Sequence, residues 1–177
     1  NSIAMYELCK REGCGLNCRF LAQVLSEMYL AMGFPSRFVT CQSKAYDTDT
    51  DCHVINMVWS RQLGKWIWMD ASFAAYVTDE NGLLLHPGEV RERLIKGLPL
   101  VLNEDANWNH KTKQTKEGYL ENYMAKNLYM LDAHLESRFE TEPADGSGSP
   151  RMYLVPEGFW PLSGHTTYDD RYFWQAP

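Results

Sequence analysis

Asn17-Cys18-Arg19-Phe20-Leu21-Ala22-Gln23-Val24-Leu25-Ser26-Glu27-Met28-Tyr29-Leu30-Ala31-Met32-Gly33-Phe34-Pro35 sets the architecture of this protein. Phe20, Leu21, Val24, Leu25, Met28 and Met32 recur at helical spacing, so an amphipathic helix packed through one face is expected from Phe20 to Met32. Gly33 followed by Pro35 supplies its stop, and Asn17 stands in N-cap position. Gly13 and Gly15 make the approach a loop, which puts Cys18 in the first helical turn. A thiolate there would meet the partial positive charge of the aligned peptide dipoles.

Working outward, Ser36 to Gln42 reads as a strand and Lys44 to Asp51 as a polar turn. His53-Val54-Ile55-Asn56-Met57-Val58-Trp59 and Lys65-Trp66-Ile67-Trp68-Met69-Asp70 are β-branched and aromatic, with a short polar link containing Gly64 between them. They are expected to form an antiparallel hairpin, which brings His53 and Asp70, at its open end, to within about two positions of being opposite. Asp79 to Gly82 is a turn, and Pro87 to Lys96 a short helix closed by Gly97 and Pro99. A strand over Leu98 to Leu102, a surface loop over Asn103 to Lys116 and a longer helix from about Lys116 to Ser137 follow, the last with Tyr119, Leu120, Tyr123, Met124, Leu128 and Leu131 on one stripe. Glu140 to Pro150 is rich in Gly, Ser and Pro and reads as a loop, and Arg151 to Val155 as an edge strand. The tail carries Phe159, Trp160, Tyr168, Tyr172, Phe173 and Trp174, too many aromatics for a free end, and is expected to pack back on the core. The fold class is α+β, in one domain over residues 1–177, with 138–177 as loop and aromatic tail.

Composition removes several classes of function. The net charge is −6, with seventeen Lys and Arg scattered along 177 residues, so there is no basic footprint for nucleic acid. Uninterrupted apolar runs, Leu83-Leu84-Leu85 among them, are only a few residues long and fall far short of the about 20 residues that cross a bilayer. The first residue is Asn1 rather than Met, so location cannot be read from this start; an extracytoplasmic one is expected if a signal peptide was removed upstream. Five cysteines, an odd number, leave at least one thiol without an intramolecular disulfide partner.

A thiol attacks an acyl carbon only as thiolate, and a free cysteine with pKa near about 8.5 is mostly protonated at neutral pH. Cys18 has two sources of help, the helix N-terminus and an imidazole. His53 opens a strand expected to pack against that helix, and Asp70, at the neighbouring strand end, is placed to fix the histidine tautomer. The rivals are weaker. Cys14 lies in the loop ahead of the helix; Cys52 adjoins His53 and should point to the opposite strand face. Cys9, Cys41 and Cys52 read as structural thiols. A zinc site from Cys14, Cys18, Cys52 and His53 would need ligands on opposite strand faces to converge, so no metal is expected. His86, His110, His134 and His165 have no nucleophile pattern nearby, and Asp47, Asp49 and Asp51 read as a solvated turn lacking the Gly and Glu of a calcium loop. Asn17, Trp59, Trp66 and Trp68 are candidates to line a substrate groove, although alternation along strands also fits a core role for the tryptophans.

Gly15-Leu16-Asn17-Cys18-Arg19-Phe20-Leu21-Ala22, Ala31 to Val39, Asp51-Cys52-His53-Val54-Ile55-Asn56 and Gly64-Lys65-Trp66-Ile67-Trp68-Met69-Asp70 together resemble the core of the transglutaminase-like superfamily. The resemblance is tight from Gly13 to about Phe73 and looser through Glu89-Val90-Arg91 and Asn107-Trp108-Asn109, which look like features of bacterial members. It implies a papain-like fold with a Cys-His-Asp triad at Cys18, His53 and Asp70, and no cofactor. Ala71 and Ser72 follow the aspartate where members often have Pro and Thr or Ser. Papain-like enzymes also place an oxyanion-hole Gln, Trp or Tyr well before the nucleophile, whereas here only the Cys18 N–H and Tyr6 offer themselves; of the two readings, that these serve or that this chain is the C-terminal part of a longer protein, the second is expected. The expected activity is hydrolysis or acyl transfer on a peptide or protein amide; the alternative is a non-catalytic peptide- or glycan-binding module on the same fold.

Overall fold

The structure is a computed structural model that describes residues 1–143, 145–159 and 165–177. It opens on a helix that the sequence reading left unassigned, α1 (Ser2–Glu12), whose Asn1 side chain accepts from the Ala4 N–H. Gly13 ends it in the left-handed region at φ 65°, a conformation glycine adopts without a Cβ clash, and hands its N–H to the Cys9 carbonyl. Next comes α2 (Cys18–Ala31), capped as expected by Asn17.

Six strands form the main sheet: β1 (Ser36–Gln42), β2 (Cys52–Ser60), β3 (Lys65–Met69), β8 (Met130–His134), β9 (Arg151–Leu154) and β10 (His165–Thr167), in the order β10-β9-β8-β1-β2-β3. Every neighbouring pair is antiparallel except β9 and β10. The fold class is therefore α+β, as read from the sequence. Between β3 and β8 run β4 (Val77–Thr78), α3 (Pro87–Lys96), β5 (Val101–Leu102) and the small hairpin of β6 (Asn107–Trp108) and β7 (Thr112–Lys113). The α3 start is a capping box: the His86 ring accepts from the Gly88 N–H and Glu89 accepts from the His86 N–H. After β10, α5 (Asp170–Phe173) puts Phe173 in the core and Trp174 against it. Trp160 lies outside the described residues.

One sheet face carries Val39, Cys41, Ile55, Met57, Trp66 and Trp68 into the main core, and the other carries Phe38 and Val54 against Ala22 of α2. That split obeys the two-residue alternation of a strand.

Three expectations are corrected here. The inward face of α2 is Ala22, Gln23, Ser26 and Glu27, while Phe20, Met28 and Met32 are 45%, 55% and 69% exposed. Polar partners draw that face in: Asn56 Nδ2 donates to the Ala22 carbonyl at 2.6 Å, and the Glu27 carboxylate accepts from the N–H groups of Ser2 and Glu140. The helix read over 116–137 stops early. It is a π-helix (Glu117–Met124) continued by one turn, α4 (Ala125–Asn127), after which Met130 to His134 extends and pairs with β1. Sheet pairing on both flanks overrides the helical spacing of Leu128 and Leu131, a tertiary effect that local propensity does not carry. Finally, the strand at Arg151 is not the edge, because β10 pairs outside it.

Candidate active site

Cys18 is the first residue of α2, which leaves its N–H among those of the opening turn that lack an intrahelical acceptor. Asn17 holds that turn, its side chain accepting from the Phe20 N–H at 3.1 Å and its carbonyl from the Leu21 N–H at 2.9 Å. Asn17 is thus occupied as a cap. The Cys18 side chain packs against the cluster of Ala22, Phe38 and Val54.

The β2–β3 register pairs Asn56 with Met69, so the position facing His53 is residue 72, two beyond Asp70. Asp70 closes that gap from a tight turn bridged to Ala75. Its Oδ2 lies 2.6 Å from His53 Nε2, in a pair whose side chains are 3% and 0% exposed. The other oxygen, Oδ1, accepts from the Ser72 and Phe73 N–H groups at 2.9 and 3.2 Å. Four donors therefore surround one carboxylate, the fourth being Tyr119, whose hydroxyl donates to Oδ2 at 2.6 Å and itself accepts from Trp68 Nε1 at 3.2 Å.

With Nε2 turned to Asp70, the ring nitrogen left for the sulfur is Nδ1. Burial alone would lift the Cys18 pKa, but its hydrogen bond with His53, the charge of that ring and the N–H groups of Val54 and Arg19 bring it below the usual thiol value. For His53, burial alone would lower the pKa, yet the Asp70 charge and hydrogen bond, reinforced by Cys18, raise it to about 9. Phe73 and Tyr123 close around the ring edge-on, with centroids at 5.3 and 5.5 Å. A thiol shifted down beside an imidazole shifted up, with a carboxylate behind the ring, favours the thiolate–imidazolium form of the pair.

The structure thus gathers Cys18, His53 and Asp70, and leaves other candidates elsewhere. Trp66 and Trp68 are 1% and 0% exposed, so both are core side chains and neither lines a groove at Cys18, and Trp59 is half-buried against Trp66 at 5.4 Å. The aromatic alternation that suggested a groove is the alternation of a doubly covered strand. Tyr6 sits on α1, 61% exposed, with Lys10 over its ring at 5.9 Å. Asp49 and Asp51 are tied to Lys126, and among the described residues no group of three or more His, Cys, Asp and Glu is arranged to hold a metal ion. Two sizeable cavities, of about 570 and 940 Å³, are lined by residues around Arg37 and Trp66 and around Leu94 and Tyr129, away from the cysteine.

Sequence reading missed Tyr119, Tyr123 and Phe73. The two tyrosines stood in the apolar stripe of a presumed helix, where nothing distinguished a hydroxyl aimed at a carboxylate from a ring filling the core. Tyr119 and Tyr123 lie four apart on the π-helix, and both reach the His53–Asp70 pair, Tyr119 through its hydroxyl and Tyr123 through its ring.

The fold is α+β, and it brings a thiol at a helix start to a histidine on β2 and a carboxylate in the turn after β3. Residues 3–71, the segment that runs from α1 through Asp70, match the model of the Transglutaminase-like superfamily. No curated protein and no solved structure gives a significant match.

Proposed function

We propose that this chain is a thiol-dependent amide hydrolase or acyl transferase, with Cys18 as nucleophile, His53 as acid and base and Asp70 as the group that orients the imidazole. The observation that carries the reading is geometric: the buried His53 ring is held by Asp70 at 2.6 Å through Nε2 and meets the Cys18 sulfur at the start of α2, an arrangement that moves the thiol pKa down and the imidazole pKa up to about 9. The match of residues 3–71 to the Transglutaminase-like superfamily supports it.

In the proposed cycle the Cys18 thiolate forms a bond to the amide carbonyl carbon, and the C=O electron pair moves to oxygen. The oxyanion so formed lies near the first turn of α2, where the Cys18 N–H has no intrahelical acceptor. His53 gives its Nδ1 proton to the leaving nitrogen as the C–N bond breaks, which leaves a thioester. His53, now neutral, takes a proton from the second nucleophile as that attacks the thioester, and the C–S bond breaks to restore the thiolate. Water as that nucleophile gives hydrolysis; a primary amine gives transamidation. Hydrolysis is the favoured outcome. The burial of Trp66 and Trp68 removes the tryptophan groove on which a glycan-binding module would have rested.

The test is the pH dependence of Cys18 alkylation by iodoacetamide, read by mass spectrometry. A rapid phase should rise with a midpoint below the about 8.5 of a free thiol and disappear in Cys18→Ala. A single limb at the ordinary thiol value would overturn the proposal. Peptide amides supplied with and without a fluorescent primary amine then separate hydrolysis from transfer.

A further inference from the structure

Away from the His53 site, two more thiols meet. Cys9 in the last turn of α1 and Cys14 just beyond its Gly13 cap have their sulfurs 3.6 Å apart. Neither is a packed core thiol: Cys14 is exposed and Cys9 only half-buried, in contrast to Cys41, which is fully enclosed. The expectation that Cys9 serves as a structural apolar side chain therefore does not fit its surroundings, since α1 has no buried residue.

The local backbone explains the meeting. Gly13, in the left-handed region, turns the chain back on the helix, and its N–H is held by the Cys9 carbonyl at 2.8 Å. That turn folds residue 14 over residue 9. A disulfide needs its sulfurs about 2.05 Å apart, so side-chain rotation through roughly 1.5 Å at an exposed turn would close the pair.

We propose that Cys9 and Cys14 form a thiol–disulfide exchange site that takes a small external disulfide as co-reactant and closes to an intramolecular bridge. Cys14, the exposed partner, attacks as thiolate, forming a mixed disulfide and expelling one external thiolate. Cys9 then loses its proton to solvent and attacks the Cys14 sulfur, which expels the second. Two protein thiols are oxidised and one external disulfide is reduced to two thiols. Burial and the neighbouring Cys14 sulfur raise the Cys9 pKa, consistent with Cys9 as the slower, resolving thiol. The bridge would clasp the end of α1 to the segment that runs into Asn17, the cap of α2. Cys18 takes no part, because its sulfur is engaged by His53 and the Val54 N–H.

The site is tested on the whole chain with oxidised glutathione, without reference to activity. The protein should lose two mass units at these positions and retain no glutathione there. Trypsin cuts after Lys10 and Arg11, so the peptides carrying Cys9 and Cys14 should remain joined until reduced. Cys9→Ser should trap glutathione on Cys14, and Cys14→Ser should abolish the joined peptides, which separates Cys14 from Cys18 in the same fragment. Persistent glutathione on wild-type Cys14, a bridge from Cys9 to Cys18, or two thiols that stay free after prolonged treatment would each overturn the proposal.

Discussion

Two buried histidines sit on strands of one sheet, each against a carboxylate, and they differ in what else touches them. His53 bonds Asp70 through Nε2, leaving Nδ1 to the Cys18 sulfur, and the other donors to Asp70 are neutral: Tyr119 and two backbone N–H groups. His134 lies 3.2 Å from Glu142 through Nε2, but its Nδ1 is spent on the Ser149 carbonyl at 3.0 Å. Its carboxylate is also shared with cations, Arg19 at 2.8 Å and Arg151 in closer contact, and Arg151 pairs with the buried Asp132 as well. Burial would raise the Glu142 pKa, yet the His134 hydrogen bond and the two guanidinium charges hold it down at about 2. The contrast teaches that burial and a carboxylate are not enough. His53 keeps its second nitrogen for a sulfur and its carboxylate is held by neutral donors, whereas at His134 the second nitrogen is spent and the carboxylate is shared with arginines.

The comparison is broken most severely at the sulfur. Cys18→Ala should cut turnover on any amide substrate by about four to six orders of magnitude, because removing a nucleophile ends the covalent route and leaves only residual binding catalysis. Changing Cys52 to Ala in parallel should leave the rate within a few-fold; comparable losses in both would assign the chemistry elsewhere.

Asp70→Asn should lower turnover by about 10²- to 10⁴-fold. Its pH signature is sharper than its magnitude. In the wild type the alkaline limb should fall near 9, where His53 loses its proton, and without the Asp70 charge that limb should move down toward the ordinary 6.5. The same shift bears on stability: a raised histidine pKa contributes stability that is complete below about 6.5 and lost as pH rises through about 9, so Asp70→Asn should flatten the loss measured by urea denaturation across that window.

On the other side of the comparison, Arg151→Met leaves Asp132 and Glu142 short of a counter-charge. A cost of about 3–5 kcal/mol in unfolding free energy is expected for breaking such a pair, with the Cys18 alkylation profile unchanged. A displaced alkylation profile would mean that the network reaches the thiol through Arg19.

The smallest effect belongs to Tyr119→Phe, which keeps the ring in the core and removes one of four donors to Asp70. About 1.5–3 kcal/mol of stability should go with a hydrogen bond to a charged acceptor, measurable by chemical denaturation. Turnover should fall about ten-fold or less. A loss as deep as that of Asp70→Asn would make the hydroxyl a participant in proton movement.

Much of this arrangement was legible along the chain. Asn17 announced the helix start and Gly64 the hairpin, so the Cys18, His53 and Asp70 positions were readable as one end of a helix–hairpin unit, while the β2–β3 register itself was readable only to within about two positions. These signals are local, set by caps, turns and strand period, and they survive without knowledge of the rest of the molecule. The polar inward face of α2, the short strand at Met130 in place of a helix, and the burial of Trp66 and Trp68 were not legible, because each depends on which distant surface arrives to cover it. So does the tyrosine strut. Spacing alone determined which side chains could be neighbours; only tertiary packing decided which hydroxyl meets Asp70 and which histidine is left a free nitrogen, since those outcomes rest on donors and charges brought together from far along the polypeptide.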